Sequence, residues 1–122
     1  MHELSKQFRF DAAHTLERDI GTDSSRRIHD HSYRGEVVVR GIPDPATGML
    51  VDLGALERLL DDARSALDHH FLNEVADLGP ATLENLCSWI WNRLSPTIPN
   101  LAIVRVHRDS GGEVCSYYGP SS

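Results

Sequence analysis

The sequence predicts an α+β fold, a four-stranded antiparallel sheet with two helices on one face, in the order ββααββ. Two central stretches carry apolar residues at helical spacing along a single stripe, and alternating stretches precede and follow them. Each helix has only one apolar face, so both belong on the same side of an antiparallel sheet.

From Leu4 to Ala13, Phe8, Phe10 and Ala12 share one parity while Gln7, Arg9 and Asp11 share the other, the pattern of a half-buried strand. A polar loop follows. Tyr33 to Gly41 then sets Gly35, Val37 and Val39 against Arg34, Glu36 and Arg40, a second strand, and the turn formers from Ile42 to Gly48 end it. Asp52 is placed as an N-cap, with Leu53, Leu56, Leu59, Leu60, Ala63 and Leu67 on one helical face. Gly79-Pro80 breaks the chain before a second helix starts at Thr82, striped by Leu83, Leu86, Cys87, Ile90, Trp91 and Leu94. Pro96 and Pro99 end it. Leu101 to His107 and Val114 to Tyr118 are two closing strands around an Asp109-Ser110-Gly111-Gly112 hairpin.

At 122 residues, the chain is expected to be a single domain, residues 1–122. A net charge of -6, with Lys and Arg scattered, supplies no basic stripe for nucleic acid or an anionic membrane surface. No apolar run approaches membrane-spanning length, and Met1 to Phe10 lacks the apolar region of a signal peptide. Cys87 and Cys115 form no disulfide framework, which fits a reducing cytosol and a cytoplasmic location.

The chemistry concentrates in three places. His29 and His31 are two residues apart, so both imidazoles can face one point if the backbone is extended. His14 sits at the end of the first strand on the parity of Phe8 and Phe10, and pairing of the two strands lets three rings converge. Three neutral imidazoles with one open position suit a catalytic zinc, against the plainer reading of loop histidines. No cysteine lies between His14 and His29; Ser24 and Ser25 stand in that stretch instead. The second place is Asp68-His69 just past the first helix, otherwise a solvated helix end. The third is Thr82-Leu83-Glu84-Asn85, a capped helix start whose N–H groups can also meet a ligand.

Phe10-Asp11-Ala12-Ala13-His14, His29-x-His31 with Tyr33, Thr47-Gly48-Met49-Leu50-Val51-Asp52, Leu67-Asp68-His69-His70-Phe71-Leu72-Asn73 and Thr82-x-Glu84-Asn85 with Trp89-Ile90-Trp91 follow in order. Together they resemble the 6-pyruvoyl-tetrahydropterin synthase and 6-carboxytetrahydropterin synthase family over nearly the whole chain. The resemblance implies a tunnelling fold, assembled through its sheet edges into a barrel-like homo-oligomer, a hexamer or another trimer-based form. It implies Zn2+ at His14, His29 and His31, and Asp68 with His69 as a proton-transfer pair reaching an active site at a subunit interface. Thr82 and Glu84 are candidate substrate contacts.

Two departures from the family stand out. Its catalytic cysteine, four residues before the first histidine of the HxH pair, is Ser25 here. Loss of one general base typically costs about 10²- to 10⁴-fold. The glutamate that the family carries at the end of the third strand, an acceptor for the pterin's donor edge, aligns with Arg108, or with Asp109 if the register slips by one. Arginine has donors and no acceptor, so Arg108 matches a carboxylate or phosphate better.

The expectation drawn from these features is a zinc-dependent lyase or cyclase acting by enolisation at a metal-bound carbonyl or hydroxyl. Its substrate is a small molecule altered from the family's usual one, an acidic non-pterin among the candidates. His69 with Asp68 is the principal base, and Ser25 at most a hydrogen-bonding group. One alternative keeps ordinary pterin chemistry, with Asp109 or Glu113 anchoring the ring. The other is a non-catalytic homologue that binds a metabolite or serves as a scaffold.

Overall fold

The computed structural model describes residues 1–15 and 29–121, His29 through its backbone alone. The elements run β1 (His2–His14), β2 (His29–Gly41), α1 (Leu53–Leu67), a single 3-10 turn (Leu72–Glu74), α2 (Leu83–Leu94), β3 (Leu101–Arg108) and β4 (Glu113–Tyr117). The strands form one antiparallel sheet in the order β1-β2-β3-β4. This is the ββααββ order expected.

Parity decides the faces. Phe8, Phe10, Ala12 and His14 of β1 are buried, as are Tyr33, Val37 and Val39 of β2 and Val104 and Val106 of β3. They share one core with Leu56, Leu60, Ala63 and Leu67 of α1 and with Leu86, Cys87, Ile90 and Leu94 of α2. Burying a side chain of this kind contributes about 1.5–3 kcal/mol, which is what holds two one-faced helices to the sheet. The other sheet face sets buried Val38 opposite buried Ile103 and carries the ion pairs Arg34–Asp109 at 3.1 Å and Arg40–Glu3 at 2.5 Å. Both helix starts are capped as expected: Asp52 accepts from the Gly54 amide at 3.1 Å and Thr82 from the Asn85 amide at 3.1 Å. Leu53, placed on the apolar stripe by spacing, instead stands half exposed in the first turn.

Gly35 has a packing reason. It lies opposite Phe8, and a Cβ there would meet the Phe8 ring at 2.6 Å. Phe8, Phe10 and Tyr33 then form a column of rings along the buried face, with centroids 5.9 Å and 5.0 Å apart. Such pairs contribute about 0.5–1.5 kcal/mol each beyond area burial.

The sequence reading is corrected at β2, which begins at His29 and not at Tyr33. His29-Asp30-His31-Ser32 is polar on both parities, so hydrophobic alternation is silent there. Pairing with β1 carries the ladder on, with Ala12 opposite His31 and His14 opposite His29. A second feature was not read at all. After α1 the chain runs beside the outer edge of β1, where Ala13 and Phe71 form a parallel bridge.

Candidate metal and proton-transfer site

The fold gathers the chemistry at one end of the sheet, where β1 and β3 finish and β2 and β4 begin. The register puts His14 and His31 on the helix-covered face, and position 29 directly opposite His14. The rings of His14 and His31 lie 5.0 Å apart at 28°. His14 is 3% exposed, a polar side chain carried inside an apolar core. Its Nδ1 shares a 3.1 Å hydrogen bond with the Tyr33 hydroxyl. Burial pushes the Tyr33 phenol up to about 12, against a smaller opposing pull from Arg108. Tyr33 therefore stays a neutral hydrogen-bonding group through ordinary pH.

Among the described residues no group of three or more His, Cys, Asp and Glu closes a metal site. The expected third ligand, His29, enters through its backbone position alone, and Ser25 lies outside the described residues. The donor chemistry nevertheless fits zinc: two imidazoles on one buried face, a third histidine at the register position across from one of them, and a hydroxyl on the outer nitrogen of His14. An outer hydrogen bond of this kind sets the tautomer and ring direction of a ligating histidine.

Asp68 closes the last turn of α1, its amide donating to the Arg64 carbonyl at 2.7 Å. Its carboxylate accepts from the Asp11 amide at 2.8 Å and pairs with Arg64 at 3.0 Å. His69 Nε2 stands 3.5 Å from the same carboxylate, adjacent but loose, with its side chain 80% exposed. The His69 backbone is left-handed at φ 59, a conformation that costs a non-glycine residue roughly 1–2 kcal/mol. Its amide, donating to the Asp11 carbonyl at 2.7 Å, holds it there. His69 and His31 line one groove of about 470 Å³, together with Asp11, Asp30 and Ser32.

Arg108 lies on the histidine side of the sheet. Arg34 pairs with His107, so Arg108 falls in the row of Tyr33, and its β4 partner is Glu113. Arg108 is not waiting for an anion: its Nε donates to one Glu113 oxygen at 3.2 Å and its terminal nitrogen to the other. The Arg108 hydrogen bond holds the Glu113 carboxyl below the usual range, with a smaller pull from His31. Asp109 belongs to the opposite face, where the Arg34 hydrogen bond holds its carboxyl low. Of the two acidic residues weighed as ring anchors, only Glu113 shares the side of the histidines.

Contacts of Cys87 with Cys115 and of Trp91 with Tyr117 run α2 along β4, which brings the start of α2 toward the Arg108–Glu113 end. The Thr82 hydroxyl serves as the helix cap, and Glu84 is exposed in the first turn. Burial raises the Cys87 thiol well above its ordinary value, so it offers no thiolate. Sequence reasoning assigned no role to Asp11, whose backbone meets both members of the Asp68-His69 pair. Its place beside His14 in the first motif was the available signal.

A model of the family described as 6-pyruvoyl tetrahydropterin synthase matches residues 3–120. A 6-carboxy-5,6,7,8-tetrahydropterin synthase of Synechocystis sp. is 36% identical over 109 residues, 84% of this chain and 83% of the relative. A dihydroneopterin monophosphate aldolase of Pyrococcus furiosus is 33% identical over 90 residues, 74% of this chain and 72% of the relative. The structure of Caenorhabditis elegans 6-pyruvoyl tetrahydropterin synthase superposes with a TM-score of 0.82 at 22% identity, covering 98% of this chain and 96% of that one, a likeness of fold.

Proposed function

The chain belongs to the 6-pyruvoyl tetrahydropterin synthase family, and from that premise we propose that it is a zinc-dependent lyase acting on the side chain of a reduced or dihydropterin. The observation that carries the metal is the His14–His31 pair, with position 29 opposite His14 and Tyr33 on His14 Nδ1. With Nδ1–H donating to the Tyr33 oxygen, His14 would offer Nε2 as the ligand atom. Zinc held by His14, His29 and His31 would polarise a substrate oxygen and acidify the adjacent C–H or O–H.

His69 takes the released proton and returns it to carbon or to the leaving group. Asp68, anchored by Arg64 and the Asp11 amide, supports the imidazolium that forms. An 80% exposed His69 suits a site completed across a subunit interface in a homo-oligomer. One imidazole serving in both directions is enough for an aldol-type carbon-carbon cleavage, in which a hydroxyl proton leaves and a carbon proton arrives. A lyase lacking the family's thiolate is best matched to that reaction, and the named aldolase relative supports it.

The pairing of Arg108 with Glu113 shifts the substrate reading. An acidic substrate would have to displace Glu113 from a two-point bond. A ring edge presenting both donors and an acceptor needs no displacement: it can donate to Glu113 and accept from Arg108. This favours a pterin over an acidic non-pterin. The deciding experiment incubates the zinc-loaded protein with dihydroneopterin and its phosphates. Release of a two-carbon aldehyde fragment, lost on chelation and in His69→Ala, is expected. Full turnover by His69→Ala would sink its role as base, and no product from any of these pterins would sink the substrate class.

A further inference from the structure

Asn73 belongs to no site described so far, yet its side chain makes two hydrogen bonds to one residue. Its Oδ1 accepts from the Thr15 amide at 2.9 Å, and its Nδ2 donates to the Thr15 carbonyl at 2.9 Å. A primary amide satisfying both backbone groups of one residue imitates a neighbouring strand. Thr15 directly follows His14.

The pairing is the last step of a series along the outer edge of β1. The Asp11 amide donates to Asp68 Oδ1 at 2.8 Å and the His69 amide to the Asp11 carbonyl at 2.7 Å. The Ala13 amide donates to the His70 carbonyl at 3.2 Å, and Asn73 then takes Thr15. Residues 11, 13 and 15 all turn backbone groups outward, and the segment 68–73 meets each of them. Without Asn73, the ladder ends at Ala13, and the outer edge holds the backbone of His14 from its N-terminal side only.

We propose that Asn73 is a positioning residue for the metal site, fixing the depth and direction of His14 by clamping Thr15. The proposal rests on the zinc reading above. It also ties the strand that carries His14 and the loop that carries His69 into one mechanical unit.

The test titrates the metal-free protein with cobalt(II), read by its visible ligand-field spectrum, and with zinc in competition with a chromophoric chelator. Wild type is expected to give a tetrahedral cobalt spectrum. Asn73→Ala is expected to bind both metals about 10- to 100-fold more weakly, the usual cost of losing a group that orients a ligand, with an altered spectrum. Ile103→Val, which trims a buried side chain in the middle of β3, controls for lost stability and should keep wild-type affinity. If Asn73→Ala does not fold, Asn73→Asp carries the same test, because it keeps the acceptor for the Thr15 amide but sets a carboxylate against the Thr15 carbonyl. Wild-type affinity and spectrum in the Asn73 variant overturn the clamp and leave the zinc reading standing. A wild type that binds neither metal overturns both.

Discussion

Nδ1 of His14 and the Tyr33 hydroxyl, 3.1 Å apart in the buried face of the sheet, are tied by a hydrogen bond between neighbouring strands. The pair links stability to the site. Tyr33 packs on Phe10 in the aromatic column while its polar end meets the histidine. The same burial that stabilises the ring raises its phenol.

The alkaline stability of the protein should therefore carry a Tyr33 limb. The folded value of about 12 lies above the ordinary 10.0, so the native state keeps its proton where the unfolded state loses it. The contribution is fully present below pH 10 and is lost as pH rises toward 12. Tyrosinate absorbance should show one residue titrating late, and denaturant melts should lose stability across that window. Tyr33→Phe removes both signals if the assignment is right.

His69 is expected to trade stability for function. Its φ of 59 suits glycine, so His69→Gly should raise unfolding free energy by about 1 kcal/mol, through relief of strain. The same variant should lose about 10²- to 10⁴-fold in kcat, the range for a missing proton-transfer group. A stabilised variant with full activity would remove His69 from the mechanism; a destabilised one would remove the strain.

Glu113→Gln separates binding from chemistry. It removes a charged acceptor that Arg108 holds ionised, and one charge-assisted hydrogen bond to substrate contributes about 1.5–3 kcal/mol. KM for the pterin should rise roughly tenfold or more while kcat stays within a few-fold. Because its carboxyl is depressed in the folded protein, any stability it adds is present at neutral pH and fades as pH falls below the usual carboxylate range. Unchanged KM would return the ring edge to another anchor.

Gly35→Ala tests the column of rings. The new methyl meets the Phe8 ring at 2.6 Å, and overpacking of this kind costs about 1–3 kcal/mol. Chemical denaturation of Gly35→Ala, Phe8→Leu and the double variant should show coupling, the smaller side chain relieving part of the methyl's cost. Strict additivity would mean that the sheet shifts to accommodate the methyl.

Much of this protein is written locally. Phe8, Phe10 and Ala12 on one parity, the Leu56–Leu60–Ala63–Leu67 stripe and the capping Asp52 and Thr82 determine strands, helices and faces, because each depends on neighbours within a few residues. The separation of His29 and His31, two residues apart, likewise sets their positions on one parity once β2 reaches them. That reach was decided by tertiary pairing: His29 to Ser32 have no apolar alternation, and only the β1 ladder makes them a strand. The same holds for the remaining decisions at the site. Whether Arg108 or Asp109 shares the histidine face depends on the β2–β3 register, and whether Arg108's charge is already met depends on Glu113 across a turn. Asn73 reaches Thr15 across 58 positions of sequence. Such contacts are made between elements, after each has formed, and they set how the ligands and the base stand relative to one another.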